Sequence, residues 1–174
     1  AVVHTEPPTG AGGRPPGPRR AIAAAKPPAL FLVDTVSSLG CIDYRHDEWG
    51  VDVAVSASQK GLMLPPGLSF NALGPKAIAA AKSARLPRSY WDWEPMLRDN
   101  ANGYFTYTPS TNLLYGLREA LAMIEEQGLD AVFARHARHG EAARAAVKAW
   151  GLELVGTDPR EYSACVTSVM TPPG

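Results

Sequence analysis

Charge of one sign is what this sequence lacks first: 17 Lys and Arg balance 17 Asp and Glu. Without a basic surplus, neither nucleic acid nor an anionic membrane surface is an expected partner. Cysteine is scarce, with only Cys41 and Cys165. Two residues so far apart make neither a disulfide framework nor a zinc set, and they read as small core residues, so no metal site is expected. No apolar run approaches the ~20 residues that a membrane span needs. The opening "AVVHTEPPTGAGG" has no charged stretch followed by a long apolar one, so no leader is read there and a cytoplasmic location is the expectation. What is present suits a globular domain: 174 residues, 45% hydrophobic and 20% charged, enough for a core and too apolar for disorder. The chain lacks an initiating Met and stops just after an apolar run, which reads as a fragment of something longer.

Along the chain, "AVVH" is a short strand-like start. The following "PPTGAGGRPPGPRR" is dense in proline and glycine, and Pro15, Pro16 and Pro18 predict a loop rather than a regular helix. A short Ala-rich helix is expected only toward Ile22–Lys26, before Pro27. "PALFLVDT" is a continuous apolar run of the kind found in buried parallel strands. "GVDVAVSAS" is a second such run and "LSFNALG" a third. Strand, crossover, strand is the α/β pattern. "KAIAAAKSA" reads as helix, while 86–109 is aromatic-rich and reads as irregular. "TNLLYGLREALAMIEEQG" places Leu113, Leu114, Leu117, Leu121 and Ile124 at helical spacing. Thr111 or Asn112 can cap its start and Gly128 its end. A second long helix follows to Gly151, and "LELVG" and "CVTSVM" return to strand. The domain division expected is 1–128, part of a large domain, and 129–174, a linking helix and the start of a smaller one.

Two residues close strands. Asp34 ends the first buried run, and in open α/β sheets ligands bind beyond the carboxyl ends of strands. An acid there can grip a ligand, cap the next turn or reach solvent. Lys60 follows the second run and is flanked by small and apolar residues. Such a seat would desolvate the amine and free it for Schiff-base chemistry, although exposed loop lysines are commoner. Together the pair meets the demand of pyridoxal phosphate for a lysine at its aldehyde and an acid at its pyridine nitrogen.

The segment from "LFLVDTVSSLG" to "SQKGLMLPPGLSF" closely resembles the class V aminotransferases, most of all their serine–glyoxylate and alanine–glyoxylate branch. The likeness continues through "RLPRSYWDWEPML", "YTPSTNLLYGLREAL" and "AWGLEL", covering residues 28–174 and, more weakly, 3–26. It implies an α/β fold, part of the fold type I large domain with a mixed, mainly parallel sheet and flanking helices. It implies pyridoxal 5'-phosphate as cofactor, with Lys60 as the Schiff-base lysine and proton shuttle, Asp34 at the pyridine nitrogen, and Gln59, with Ser58 nearby, at the phosphate. Thr108 resembles the threonine that reaches the phosphate of a neighbouring subunit's cofactor, so a homodimer is implied. The substrates implied are an amino acid, serine first, and the 2-oxo acid glyoxylate. A lyase on the same cofactor and a truncated, non-catalytic remnant are the alternatives. Cysteine desulfurases typically carry His where Gln59 stands, which disfavours that branch.

The likeness weakens in places. "VHTEPPTG" resembles the family's "HxETSTG" turn, with Thr9 as a cofactor contact, but Pro7 and Pro8 replace hydroxyl residues and offer no donor. The family's glycine-rich phosphate turn and ring-stacking aromatic are expected before residue 1, and its carboxylate-binding arginine after residue 174. Arg135, Arg138, Arg144, His136 and His139 read as a solvated helix face. His46 and Asp47 read as part of a turn, and Tyr90, Trp91 and Trp93 as interface aromatics.

Overall fold

The computed structural model describes residues 1–13 and 16–172. Its centre is a four-stranded sheet in the order β1–β4–β5–β6. β1 (Val2–Val3) and β4 (Leu32–Asp34) are parallel, and β4 and β5 (Val53–Ala57) are parallel. β6 (Ser69–Leu73) returns antiparallel to β5. A two-stranded antiparallel ribbon, β2 (Thr5–Glu6) with β3 (Ala11–Gly12), stands apart. The sheet is therefore mixed and mainly parallel, as the apolar runs imply. β5 is central and buries Val53, Ala54 and Ser56, whereas the edge strand β6 buries no residue. Burial of a central strand on both faces is what parallel sheets require.

Two apolar clusters hold the layers. One gathers Phe31, Val33 and Val51 with Val2, Ile22, Tyr44 and Trp49. The other packs Leu62 and Leu64 of the loop after β5 against Ala120, Ile124 and Val132 of two long helices. Those helices are α4 (Thr111–Gln127) and α5 (Leu129–Ala149), joined at Gly128 with φ +81°. Glycine at that left-handed position ends α4 as expected. Its start differs: Thr111 is already helical, and Ser110 occupies the cap position without a side-chain bond. Leu121, expected on the buried face, is 44% exposed. The stripe of Leu113, Leu117, Ala120 and Ile124 faces inward instead, and Leu121 falls to its side.

Three further expectations need correction. α1 runs Pro16–Ala25, straight through Pro16 and Pro18. Both prolines sit in the first turn, where amides have no intrahelical acceptor and a fixed φ near −65° already suits a helix; Pro15 lies outside the described residues. α2 (Pro75–Ser83) is as expected, but the irregular aromatic stretch contains α3 (Trp93–Asn100). Asp92 caps α3 by accepting from the Glu94 amide at 3.2 Å, a start signal hidden among the aromatics. The two terminal strands shrink to one antiparallel bridge, Leu154 with Val169. A 3-10 turn at Pro159–Glu161, capped by Asp158, interrupts the chain between them.

Candidate active site

Asp34 and Lys60 leave the sheet at the same end. Asp34 pairs with Val55 in the parallel ladder, and β5 ends at Ala57, just before the turn that carries Lys60. The Asp34 carboxylate is half-buried. Its Oδ1 accepts from the Val36 amide at 2.8 Å, which fixes the turn after β4, and its main-chain oxygen accepts from His4 N–H at 2.9 Å. Among the described residues nothing bonds the second carboxylate oxygen. The Lys60 amine makes no hydrogen bond or ion pair among the described residues, and the residue is exposed. The desolvated seat read from its apolar neighbours is thus not formed within this chain, because Leu62 and Leu64 turn away from it into the helix-packed cluster.

That inward turn is what holds the Lys60 loop in place. Ser58 is fully buried, and its Oγ donates to the Pro65 carbonyl at 2.8 Å and accepts from the Leu68 amide at 3.1 Å. The Leu64 amide closes on the Ser58 carbonyl at 3.1 Å, and the Met63 amide on that of Lys60 at 2.9 Å. Gln59 is exposed beside Lys60. Gly61 lies flat against the turn after β4, where a Cβ would collide with the Leu39 carbonyl and come within 2.7 Å of Cys41 Sγ.

A cavity of about 240 Å³ opens beside Lys60 and is walled by Ser37, Cys41, Met63, Arg135, His136 and Cys165. Two of these were read as solvated helix face. Arg135 and His136 are half-buried, and burial, then the charges of Arg135 and His139, lower the His136 pKa. The spacing of Val132, His136 and Gly140 on α5 carries the missed signal, since Val132 and Gly140 are both buried and His136 lies one turn from each. Arg144 is also not free in solvent. It donates to the Ser163 carbonyl at 2.9 Å and lies 5.1 Å from the Tyr162 ring. Cys165 is no strand residue; its Sγ contacts the Ser37 carbonyl at 2.8 Å. Asp34, Thr9 and Thr108 are not among the residues that wall this cavity.

The ribbon turn stands next to the C-terminal segment. Thr9 is exposed, donates to the Glu6 carbonyl at 3.4 Å, and borders a small cleft with Arg144, Tyr162 and Ser168. Pro7 contributes its carbonyl, which accepts from Ser168 Oγ at 2.7 Å. His4 lies 4% exposed behind the turn, with Nδ1 2.9 Å from Ser38 Oγ and its ring against Tyr44 and Trp49. Burial lowers its pKa and the Asp43 charge partly restores it. Thr108 is exposed in an aromatic stretch where the Tyr90 and Tyr107 rings meet at a tilt, 4.9 Å apart, and Trp91 is 80% exposed. Among the described residues no three His, Cys, Asp or Glu gather to hold a metal ion, and no helix is long and apolar enough to cross a membrane.

The chain as a whole is similar to known proteins. The family model described as aminotransferase class-V matches residues 11–172. The chain is 48% identical over 175 residues to a serine–glyoxylate aminotransferase of Hyphomicrobium methylovorum, covering 99% of this chain and 43% of that protein. It is 48% identical over 177 residues to an L-aspartate–glyoxylate aminotransferase of Paracoccus denitrificans, covering 99% and 44%. Among solved structures, an aspartate aminotransferase of subgroup IV from Thermus thermophilus superposes with a TM-score of 0.87 at 32% identity, covering 99% of this chain and 48% of that one. The chain therefore spans less than half the length of the relatives it matches.

Proposed function

We propose, from the premise that this chain belongs to the class V aminotransferases, that Lys60 and Asp34 hold pyridoxal 5'-phosphate in a protein that moves an amino group from an amino acid to glyoxylate. The observation that carries this is the shared exit of β4 and β5. It sets a carboxylate with one uncommitted oxygen and an uncommitted amine at the same end of paired parallel strands. These are the two groups the cofactor needs, and their lack of other partners is the fit.

The cofactor, when bound, supplies an electron sink for the electrons of the substrate Cα–H bond. The chain supplies the rest. Lys60 anchors the cofactor covalently and carries the proton from Cα. Asp34 keeps the pyridine nitrogen protonated through its free oxygen, while its other oxygen stays locked on Val36. Gln59 and Thr9 contact the cofactor, Gln59 at its phosphate. Ser58, whose hydroxyl is committed to Pro65 and Leu68, serves the phosphate by fixing the loop that presents Gln59 and Lys60. Thr108, exposed among aromatics, reaches the cofactor of a second subunit in a homodimer. Residues 1–128 form part of the large domain and 129–174 lead into the smaller one. Serine is the favoured donor, in keeping with the relative from Hyphomicrobium; the relative from Paracoccus makes aspartate the rival.

Added pyridoxal phosphate should give a band at ~420 nm that borohydride bleaches while fixing the cofactor's mass on the Lys60 peptide. Lys60→Ala should lose both, and Asp34→Asn should weaken cofactor retention. Label on another lysine, with Lys60 unmodified, would sink the assignment. Following labelled nitrogen from serine or aspartate into glycine then decides the donor.

A further inference from the structure

The two cysteines, distant in sequence, meet in space at the wall of the Lys60 cavity. Cys41 belongs to the turn after β4, where its amide donates to the Ser38 carbonyl at 2.9 Å and its side chain is 5% exposed. Cys165 belongs to the C-terminal segment. Its amide donates to Ser163 Oγ at 3.2 Å, its Sγ lies 3.3 Å from the same oxygen, and that Sγ donates to the carbonyl of Ser37, 128 positions away. Both thiols are free and line the same cavity, and each shifts the protonation of the other. The cavity is open, which gives a small oxidant a path to the sulfurs. Neither thiol has a part in the cofactor reading.

We propose that Cys41 and Cys165 form a reversible disulfide, closed by a peroxide, that fastens the C-terminal segment to the turn after β4 beside Lys60. Cys165 Sγ already rests on the Ser37 carbonyl, four residues from Cys41, at the wall both cysteines share. A disulfide needs the sulfurs to close to about 2.0 Å, and the segment around Cys165 is irregular backbone that can follow. The neighbouring Cys41 thiol pulls the Cys165 thiol below its ordinary pKa, and Cys165, with burial, pushes Cys41 up, while the Ser37 carbonyl against Cys165 Sγ favours its S–H form. Cys165 is the less buried of the two, so its sulfur meets the oxidant first and, as thiolate, is the attacking one.

The chemistry balances with the peroxide as sole oxidant. Cys165 sulfur attacks one peroxide oxygen and the O–O bond breaks, leaving a sulfenic acid on Cys165 and releasing the other oxygen as water. Cys41 sulfur then attacks that sulfur and the S–O bond breaks. The S–S bond forms, and the Cys41 proton leaves with the oxygen as a second water. The electron pair given up by the two thiols ends on the peroxide oxygens, and an added thiol reverses the link.

The test uses the full chain, reduced, freed of reductant and exposed to hydrogen peroxide without pyridoxal phosphate, so it is separable from the cofactor assignment. After quenching with N-ethylmaleimide and tryptic digestion, mass spectrometry should find the Cys41 peptide joined to the Cys165 peptide, less two hydrogens. Dithiothreitol should release it, and Cys41→Ser or Cys165→Ser should abolish it. The native chain should link about tenfold or more faster than the same chain in urea, where loop closure must first bring the sulfurs together. Maleimide on both cysteines after peroxide, separate sulfinic acids, links between chains, or equal rates in native and unfolded chain would each overturn the proposal.

Discussion

Gly61 shows how tightly the neighbour of Lys60 is specified. A methyl there meets the Leu39 carbonyl and Cys41 Sγ at once, and backbone cannot swing aside as a side-chain tip can. Gly61→Ala should cost about 1–3 kcal/mol of unfolding free energy, read from urea denaturation, and should displace Lys60. An unchanged urea midpoint would show the loop to be looser than its hydrogen bonds imply. His4 gives a pH signature. Burial lowers its folded pKa below the ordinary 6.5, so below that value the unfolded chain binds the proton more readily than the native one. The stability contributed by neutral His4 is therefore complete above pH 6.5 and is lost as pH falls through the folded value. His136 titrates in the same sense, so the comparison to make is urea unfolding of the chain against His4→Asn across pH 7.5 to 5. The variant should show the shallower decline; parallel curves would mean that His4 protonates freely in the fold. The strand-end positions of Asp34 and Lys60 were legible in sequence because each closes an apolar run. The roles of Cys165, Arg135 and Arg144 were not, since their partners lie on distant segments that no local spacing announces.

At the scale of elements, apolar runs revealed the strands well because β5 buries the adjacent residues Val53 and Ala54 on opposite faces, and β4 keeps an apolar Leu32 and Val33 although Leu32 is 37% exposed. Helix α4 was equally plain, but its inward stripe was read one step too wide, and Leu121 is left exposed. Proline misled at α1, where its damage depends on position: a first turn has no amide bonds to lose. The aromatic stretch hid α3 because its Asp92 cap precedes only eight helical residues, too few for periodicity to show. The packing of α4 on the Lys60 loop yields a prediction. Ile124 is 8% exposed and shares a cluster with Leu62 and Leu64, so Ile124→Ala should cost about 2–5 kcal/mol. Because the same cluster seats the loop, cofactor retention should fall with it. A variant that loses stability yet binds pyridoxal phosphate as tightly as the parent would separate the loop from the helix that backs it.

Across the whole molecule the two ends of the chain meet. The Ser163 amide bonds the Gly10 carbonyl at 2.9 Å, Ser168 Oγ bonds that of Pro7, and Ala11 bridges Tyr162. Nothing in either segment alone predicts this, because the pairings are single bonds between irregular stretches rather than strands with a period. Arg144 is the clasp. From α5 it holds the Ser163 carbonyl with one guanidinium nitrogen while its charge sits over Tyr162, a charged hydrogen bond and a cation–π contact on one side chain. Arg144→Ala leaves that carbonyl without its donor and should cost about 1–2 kcal/mol. The loss should be local. Proteolysis should cut first within 153–170, and the Ser163 amide should exchange faster, while amides of β4 and β5 keep their protection. The Cys41–Cys165 disulfide, formed first by peroxide, should restore resistance to cleavage near Cys165 in the same variant by holding that segment from its other side. If exchange instead rises evenly through the sheet, the C-terminal segment is part of the cooperative core, and its attachment beside Lys60 is no separate latch.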